Sequence, residues 1–168
     1  MKNFSNIKKQ AGFNLIEVLL AFLILSIGLL GVAGLQTTAV KASHSAMLKT
    51  IAISKIQEIV ERIRSNSSAT MVMYDMPLDY PGVDNNCDDR GSPAAVECAP
   101  EDLAKNDIFV WKKSLVNGGL PPVGVNASII IDQTEAPPIA TITVKWVERG
   151  EDVSYSIKIQ QLPPVTSI

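Results

Sequence analysis

The chain has 168 residues, of which 46% are hydrophobic, and it carries 17 acidic against 15 basic side chains. This length suits one domain with an extension. The mildly acidic balance, without a stripe of basic residues and interleaved aromatics, argues against nucleic-acid binding, which requires clustered Lys and Arg.

The first predicted element is an apolar segment over residues 12–35, in which Glu17 is the only charged residue. A run of this length can span a bilayer. An ionised group within a span costs about 2.5–3.5 kcal/mol on insertion scales, so it usually marks a function. If the chain is cut after Gly12, the new amino group of Phe13 lies about one helical turn before Glu17. The amine and the carboxylate can then neutralise each other, within one helix or between two.

The start of the chain resembles the class III signal of type IV prepilins. The resemblance rests on a short basic leader with three lysines, followed by the run Gly12-Phe13-Asn14-Leu15-Ile16-Glu17. In that family a membrane aspartyl peptidase cleaves after the Gly and methylates the new amine, and the Glu guides the subunit into the filament. The resemblance implies these roles for Gly12, Phe13 and Glu17, although most members have Thr where this chain has Asn14. An ordinary secretory signal or a plain membrane anchor leaves Glu17 unexplained.

The helical pattern continues beyond the apolar segment. Hydrophobic residues recur at three- and four-residue steps over residues 48–63, and charged residues occupy the remaining positions. This period predicts one continuous helix over residues 13–64, whose second half, residues 36–64, needs a cover for its apolar stripe. Glu58 and Arg62 have the four-residue spacing of an ordinary surface ion pair, worth a few tenths of a kcal/mol.

Three glycines, Gly28, Gly31 and Gly34, fall at three-residue spacing inside the predicted helix. Each costs about 1 kcal/mol of helix propensity relative to Ala. Small residues let neighbouring helices approach closely, which is their usual role in membrane bundles. They also make this the easiest part of the helix to unwind, and the resemblance to pilins implies such melting in filaments. The two interpretations are compatible.

Residues 65–100 are rich in Ser, Asn, Asp, Pro and Gly, which predicts a long, partly ordered loop. Cys87 and Cys98 lie within it, and their spacing in a polar segment is typical of a disulfide. A disulfide indicates an oxidising compartment. The carboxyl-terminal part is therefore expected to face the periplasm.

The same loop contains a weak calcium signal. Asp84, Asn86 and Asp88 have the one-three-five spacing of a calcium loop, but Asp89 and Ala95 stand where such loops require Gly and Glu. A solvated acidic turn is the favoured interpretation, with calcium as the alternative.

Catalytic residues are not expected. The single histidine, His44, falls on the predicted helix, and no Ser or Cys has an evident base beside it. A lone histidine makes neither a catalytic triad nor a metal site. We expect His44 to be solvated or at an interface, and we expect no cofactor.

The last part of the chain predicts a short amphipathic helix from Glu101, with Gly118-Gly119 as its stop. Three runs with strand patterning follow, and the turns between them are at residues 135–138 and at Arg149-Gly150. The alternation gives an antiparallel meander with one apolar face, the natural cover for the stripe over residues 48–63. The predicted strands are residues 123–132, 139–148 and 153–162.

These elements predict an α+β protein. With the leader and the filament role that the resemblance implies, residues 1–12 are expected to be the leader, 13–35 the membrane-spanning and filament-core helix, 36–64 its periplasmic half, and 65–100 the disulfide-containing loop. Residues 101–168 form the short helix and the sheet, and pack with 36–64 as one globular domain. A long amino-terminal helix laid on an antiparallel sheet also resembles the type IV pilin fold. Within that family, residues 25–36 and, more weakly, the segment around Trp111 to Pro121 resemble PilV-type minor pilins, the type IV pilus modification proteins.

The resemblance implies a minor pilin that helps to prime pilus assembly, and hence affects twitching motility and adhesion. The partners it implies are a prepilin peptidase and methyltransferase, the major and other minor pilins, the assembly platform in the inner membrane, and the lipid bilayer before assembly. Two alternatives remain. A pseudopilin of a type II secretion system would share the leader and Glu17, and a pilus-borne adhesin would use the loop over residues 65–100 for its ligand.

Overall fold

The computed structural model describes residues 14–87 and 98–160. The predicted α+β class is confirmed by a long amino-terminal helix, a three-stranded antiparallel sheet and a disulfide in the segment between them. The chain divides into two compact units, one that ends at His44 and one that begins at Ser45. The elements are α1 (Leu15–Ser65), a 3₁₀ turn (Met71–Tyr74), α2 (Pro100–Asn117), β1 (Asn126–Asp132), β2 (Ile139–Glu148) and β3 (Glu151–Gln160).

The first unit, as far as it is described, is the part of α1 that ends at His44. All of its described residues are exposed. The hydroxyl groups of Ser26, Thr37 and Thr38 donate to the carbonyl oxygens four residues earlier, at 2.7, 3.1 and 3.2 Å. These bonds satisfy the hydroxyl groups within the helix, so that an apolar environment would leave no such donor unpaired.

In the second unit α1 contributes an apolar stripe to the core, as its period predicts. Leu48, Ala52, Ile56, Ile59 and Val60 are buried, and they form one cluster with side chains of α2 and of the sheet. From Leu48 to Ile59 the buried positions recur at steps of four, four and three residues, and Val60 widens the stripe, because only one face of a helix can contact the sheet. The sheet is therefore the cover that the stripe requires.

The sheet has the order β1-β2-β3, and both pairs of neighbours are antiparallel. Ile129, Ile142 and Ile157 lie side by side across the three strands. Alternate residues of β2 are buried, among them Trp146, as the period of two predicts. The turn between β2 and β3 is Arg149-Gly150, with φ of 56° and 85°, which corresponds to the type I′ turn favoured in two-residue hairpins.

Two strand boundaries differ from the prediction. β1 begins at Asn126 rather than at residue 123, because Gly124 has a φ of 73° and turns the chain there. β3 begins at Glu151, two residues early, because the turn before it has only two residues. The predicted end of this strand at residue 162 lies outside the described residues.

The segment after α1 is more ordered than the predicted loop. Met71, Tyr74 and Met76 are buried in the core. Met76 also pairs with Ile129 of β1 through two backbone hydrogen bonds of 2.7 and 2.9 Å. The polar composition of the segment gave no sign of these contacts with the core. A few apolar residues suffice to attach such a segment, even when its other side chains face water.

Candidate functional site

Glu17 lies in the first turn of α1, and its backbone N–H donates to the carbonyl oxygen of Asn14 at 2.9 Å. A carboxylate in the first turn interacts favourably with the partial positive charge of the helix amino terminus. Val18, Ala21, Phe22 and Leu25 line a shallow groove beside it. Glu17 is therefore one carboxylate on an apolar helix surface. Gly12 and Phe13, the residues of the predicted cleavage site, lie outside the described residues.

The helix surface around Glu17 is apolar and uncovered. Leu15, Leu30 and Leu35 are each more than 70% exposed, and the large side chains between them are exposed too. Among the residues that the structure describes, α1 is the one helix long and apolar enough to cross a membrane. No residue in the most apolar stretch of α1 is buried. Apolar surface of this extent requires lipid or other protein helices as its cover.

Gly28, Gly31 and Gly34 lie within regular α-helix. No atom outside the local backbone lies within 4 Å of the place where a Cβ would be on any of them. The glycines therefore leave a smooth surface on this part of α1. Their roles in close packing and in unwinding both stay predictions.

A network of polar side chains joins α1 to α2 and to the 3₁₀ turn. Arg62 of α1 donates to Asp107 Oδ1 at 3.0 Å and to Glu58 Oε1 at 3.3 Å. Tyr74 donates its hydroxyl proton to the other oxygen of Asp107 at 2.8 Å. Asn66 in turn donates to the hydroxyl oxygen of Tyr74 at 3.1 Å. We call Glu58, Arg62, Asn66, Tyr74 and Asp107 the polar network.

The polar network corrects the interpretation of Glu58 and Arg62 as an ordinary surface pair. The Arg62 and Asp107 side chains are 14% and 9% exposed, and Glu58 also accepts from Lys55 at 2.8 Å. Four-residue spacing along one helix could indicate the contact between Glu58 and Arg62. The same spacing could not predict the contact between Arg62 and Asp107, because Asp107 lies 45 residues after Arg62 in the chain.

The network also changes the acidity of two of its members. Burial raises the pKa of Glu58, but the hydrogen bond and charge of Lys55, together with Arg62, outweigh burial and leave the pKa lowered. Burial raises the pKa of Tyr74 far above its ordinary range, and the nearby carboxylate of Asp107 adds to this effect. Tyr74 is thus a neutral hydrogen-bond donor at physiological pH.

Two further side chains of α2 hold other segments in place. The Trp111 indole N–H donates to the carbonyl oxygen of Lys55 at 2.6 Å. The Lys112 ammonium donates to the carbonyl oxygens of Leu78 and Tyr80, both at 2.6 Å, and burial lowers its pKa. Sequence reasoning missed Lys112, because a lysine on an amphipathic helix gives no sign that backbone carbonyl groups will surround it.

The predicted disulfide between Cys87 and Cys98 is present. Beside it the buried side chain of Asn106 accepts hydrogen bonds from the backbone N–H groups of Asn85 and Cys87, at 3.0 and 3.5 Å. These contacts attach the end of the loop to α2. Cys87, one end of the disulfide, is therefore also held to α2 by a hydrogen bond.

Of the calcium candidates, only Asp84 and Asn86 lie in the described part of the chain, and the Asn86 N–H donates to Asp84 Oδ1 at 3.2 Å. Asp88 and Asp89 lie outside it. Over residues 14–87 and 98–160, no three His, Cys, Asp or Glu side chains lie close enough together to hold a metal ion. His44 is on the exposed surface of α1.

Comparison with protein-family models gives two adjoining matches. Residues 7–33 match the prokaryotic N-terminal methylation motif. With the long helix, the antiparallel sheet and the disulfide, this match defines a type IV pilin-like protein that carries a class III signal. More particularly, residues 34–109 match the model described as type IV pilin Tt1218. Comparison with curated proteins and with solved structures found no significant match.

Type IV pilins are structural subunits. The class III signal implies processing by a prepilin peptidase and assembly with other pilins. Together with this signal, the apolar helix indicates membrane anchoring before the pilus is formed.

Proposed function

We propose that the protein is a minor subunit of a type IV pilus. The observation that carries this proposal is the single carboxylate, Glu17, on the otherwise uncharged and uncovered apolar surface of α1. The resemblance of residues 25–36 to PilV-type minor pilins supports the minor role. In this proposal residues 1–12 are removed as a leader, and Phe13 is methylated. Residues 13–35 anchor the protein in the inner membrane, and the second unit lies in the periplasm.

The assembly step follows from charge neutralisation. In a filament the apolar helices of neighbouring subunits replace lipid around α1, and each Glu17 meets the methylated amino terminus of a neighbour. An ion pair in so apolar a setting is much stronger than in water, because few other dipoles screen it. The pair therefore selects the axial position of an entering subunit, while the apolar side chains supply the contact area.

Replacing Glu17 tests this mechanism. We expect Glu17→Ala to leave cleavage after Gly12 intact, because the peptide bond is untouched, and to lower incorporation into filaments by at least about tenfold, since an unpaired buried amine costs several kcal/mol. The measurement is mass spectrometry of the amino terminus, with quantification of the protein in filaments sheared from cells. Ser26→Ala, on the same exposed helix surface, is the control and should leave incorporation unchanged. Equal incorporation of the two variants would remove the proposed role of Glu17.

The minor role and the type of assembly need separate measurements. A minor pilin is expected at low abundance beside another pilin in sheared filaments, with a methylated Phe13 at its amino terminus. Deleting the protein should reduce pilus number and twitching motility. Loss of protein export with intact pili would instead assign the chain to a type II secretion system.

The loop over residues 65–100 offers a test of the adhesin alternative. Shortening the segment between Cys87 and Cys98 removes the part of the loop beyond the contacts that Asn106 makes. A subunit that acts only in assembly should keep normal piliation and normal surface adhesion after this change. Lost adhesion with normal piliation would indicate a ligand-binding loop.

A further inference from the structure

An open cavity of about 580 Å³ lies where the segment after the 3₁₀ turn meets α2 and the start of β1. We call it the α2 cavity. Its volume falls within the range of small-molecule sites, about 300–1,000 Å³. Its lining combines apolar side chains with polar ones, which are Pro81, Phe109 and Val125, and Asp79, Lys113 and Asn126. This mixture is typical of a site that binds an amphipathic small molecule.

The loop wall of the α2 cavity is fixed to the helix that forms its other wall. Lys112, which also lines the cavity, donates to the carbonyl oxygens of Leu78 and Tyr80 and so holds the loop to α2. Gly82 lies directly against the backbone of Phe109. A ligand therefore need not order the loop, and binding to a preorganised site has a smaller entropic cost.

The polar groups of the α2 cavity include donors and an acceptor. Asn126 Oδ1 accepts from the Ala127 N–H at 2.8 Å, so the NH2 group of Asn126, with two donors, is the part left for a ligand. Lys113 is exposed, and its ammonium group lies 5.8 Å from the centre of the Phe109 ring. The Asp79 carboxylate, also exposed, is an acceptor. A ligand that both donates and accepts hydrogen bonds suits this set.

The charges on the lining of the α2 cavity largely offset one another. Asp79 lies close enough to Lys112 for their charges to attract each other. Water screens the charge of Lys113, because this side chain is exposed. An anionic ligand would lie beside the Asp79 carboxylate, and a cationic ligand would lie beside two lysines. The cavity therefore favours an uncharged ligand.

We infer that the α2 cavity binds a neutral saccharide. A sugar hydroxyl donates and accepts through one oxygen, so adjacent hydroxyl groups can donate to Asp79 and accept from Asn126 or Lys113 at the same time. The C–H groups of a sugar ring form an apolar face, which the three apolar side chains of the lining can cover. The cavity is open to solvent on one side, which leaves room for the rest of a sugar chain. The ligand is therefore one part of a larger glycan.

This site lies within the second unit and does not depend on the proposed role in pili. The probe is an array of neutral and sialylated oligosaccharides, applied to the full-length protein in a detergent whose head group contains no sugar. We expect binding to neutral members of the array, with an affinity that changes little with salt because the ligand is uncharged. Calorimetric titration with the neutral oligosaccharide that binds most strongly then gives the Kd.

Two nearly isosteric substitutions test the assigned polar groups. Asp79→Asn removes the carboxylate, and Asn126→Asp removes the NH2 donors but keeps the oxygen that accepts from the Ala127 N–H. Each should raise the Kd at least about tenfold, because a polar group of the ligand loses its partner. Glu135→Gln and Gln133→Glu make the same two exchanges on exposed side chains outside the cavity and should leave the Kd unchanged.

The shortened variant described above provides a further control. None of the lining residues of the α2 cavity lies between Cys87 and Cys98, so this variant should bind the oligosaccharide as tightly as the unsubstituted protein. Circular dichroism checks that each variant is folded, and Asp79→Asn, at an exposed position, decides the matter alone if Asn126→Asp alters the fold. Three results would overturn the inference: no binding to any neutral saccharide, stronger binding to sialylated members of the array, or equal Kd values for Asp79→Asn and Glu135→Gln.

Discussion

At the scale of single residues, the guanidinium of Arg62 lies between two carboxylates, one on its own helix and one on α2. The pair with Glu58 follows from helical spacing, but the pair with Asp107 is the more buried of the two. Breaking a buried pair by removing one charge leaves the other without compensation in a medium that solvates it poorly. The polar network should therefore contribute more to stability than the charge pairs on the exposed face of α1.

We expect Asp107→Asn to lower the free energy of unfolding by about 3 kcal/mol, because the Arg62 charge then stays buried without its partner. Urea unfolding of the full-length protein in detergent, followed by tryptophan fluorescence, measures this change. Glu61→Gln is the matched control, since its partner Arg64 is 58% exposed and Glu61 itself 68%. The control substitution should lower the free energy of unfolding by about 0.5 kcal/mol or less. Similar urea midpoints for both variants would contradict the prediction that the buried ion pair contributes more to stability than the exposed one.

The lowered pKa of Glu58 predicts a pH dependence with a definite sign. A carboxyl group whose pKa is lower in the folded than in the unfolded state stabilises the fold above its ordinary pKa, here 4.5. That contribution is lost as the pH falls from about 4.5 through the lowered folded pKa. We expect the urea midpoint to fall less between pH 7 and pH 3 in Glu58→Gln than in the unsubstituted protein. Lys55→Met should reduce the dependence too; an unchanged dependence in both variants would contradict the assignment.

At the scale of elements, α2 fixes the segment that the sequence predicts as a loop. It does so through Asp107, Lys112 and Asn106, which bind the 3₁₀ turn, the residues after it and the disulfide-bonded end. Gly82 lies directly against α2, where a Cβ would collide with the backbone of Phe109. The close approach of this segment to α2 therefore depends on a glycine.

We expect Gly82→Ala to destabilise the protein more than Gly150→Ala. Both glycines have positive φ, of 79° and 85°, so each substitution should cost about 1 kcal/mol for the backbone conformation. In Gly82→Ala the new Cβ also collides with backbone atoms of α2, whereas in Gly150→Ala it enters open space. That collision should cost at least about 1 kcal/mol more. Thermal unfolding of the two variants makes the comparison, and equal costs would mean that the segment can move away from α2.

At the scale of the whole chain, the second unit has one hydrophobic core. Trp111 of α2 and Trp146 of β2 are both buried in it, and α1 contributes five buried side chains. A single core shared by a helix pair and a sheet cannot lose one layer without exposing the others to water. Its elements should therefore unfold together.

The two tryptophans allow this cooperativity to be measured, because they are the only two in the chain. Trp111→Phe leaves a reporter in the sheet, and Trp146→Phe leaves one in α2. We expect fluorescence and helical circular dichroism to give coincident urea transitions of the second unit within each variant. Separate transitions for fluorescence and circular dichroism in both variants would indicate that the sheet and α2 unfold independently.

The sequence by itself determined the features that depend on local period or on a short motif. These are the class III signal, the extent of α1, the boundaries of β2, the hairpin turn and the disulfide. They can be read locally because apolar spacing, turn chemistry and cysteine spacing act over a few residues. The tertiary structure alone decided that Arg62 pairs with Asp107, and it alone decided the partners of Lys112 and Met76. Those contacts join residues dozens of positions apart, and no local pattern specifies which distant group will fill a position in a packed core.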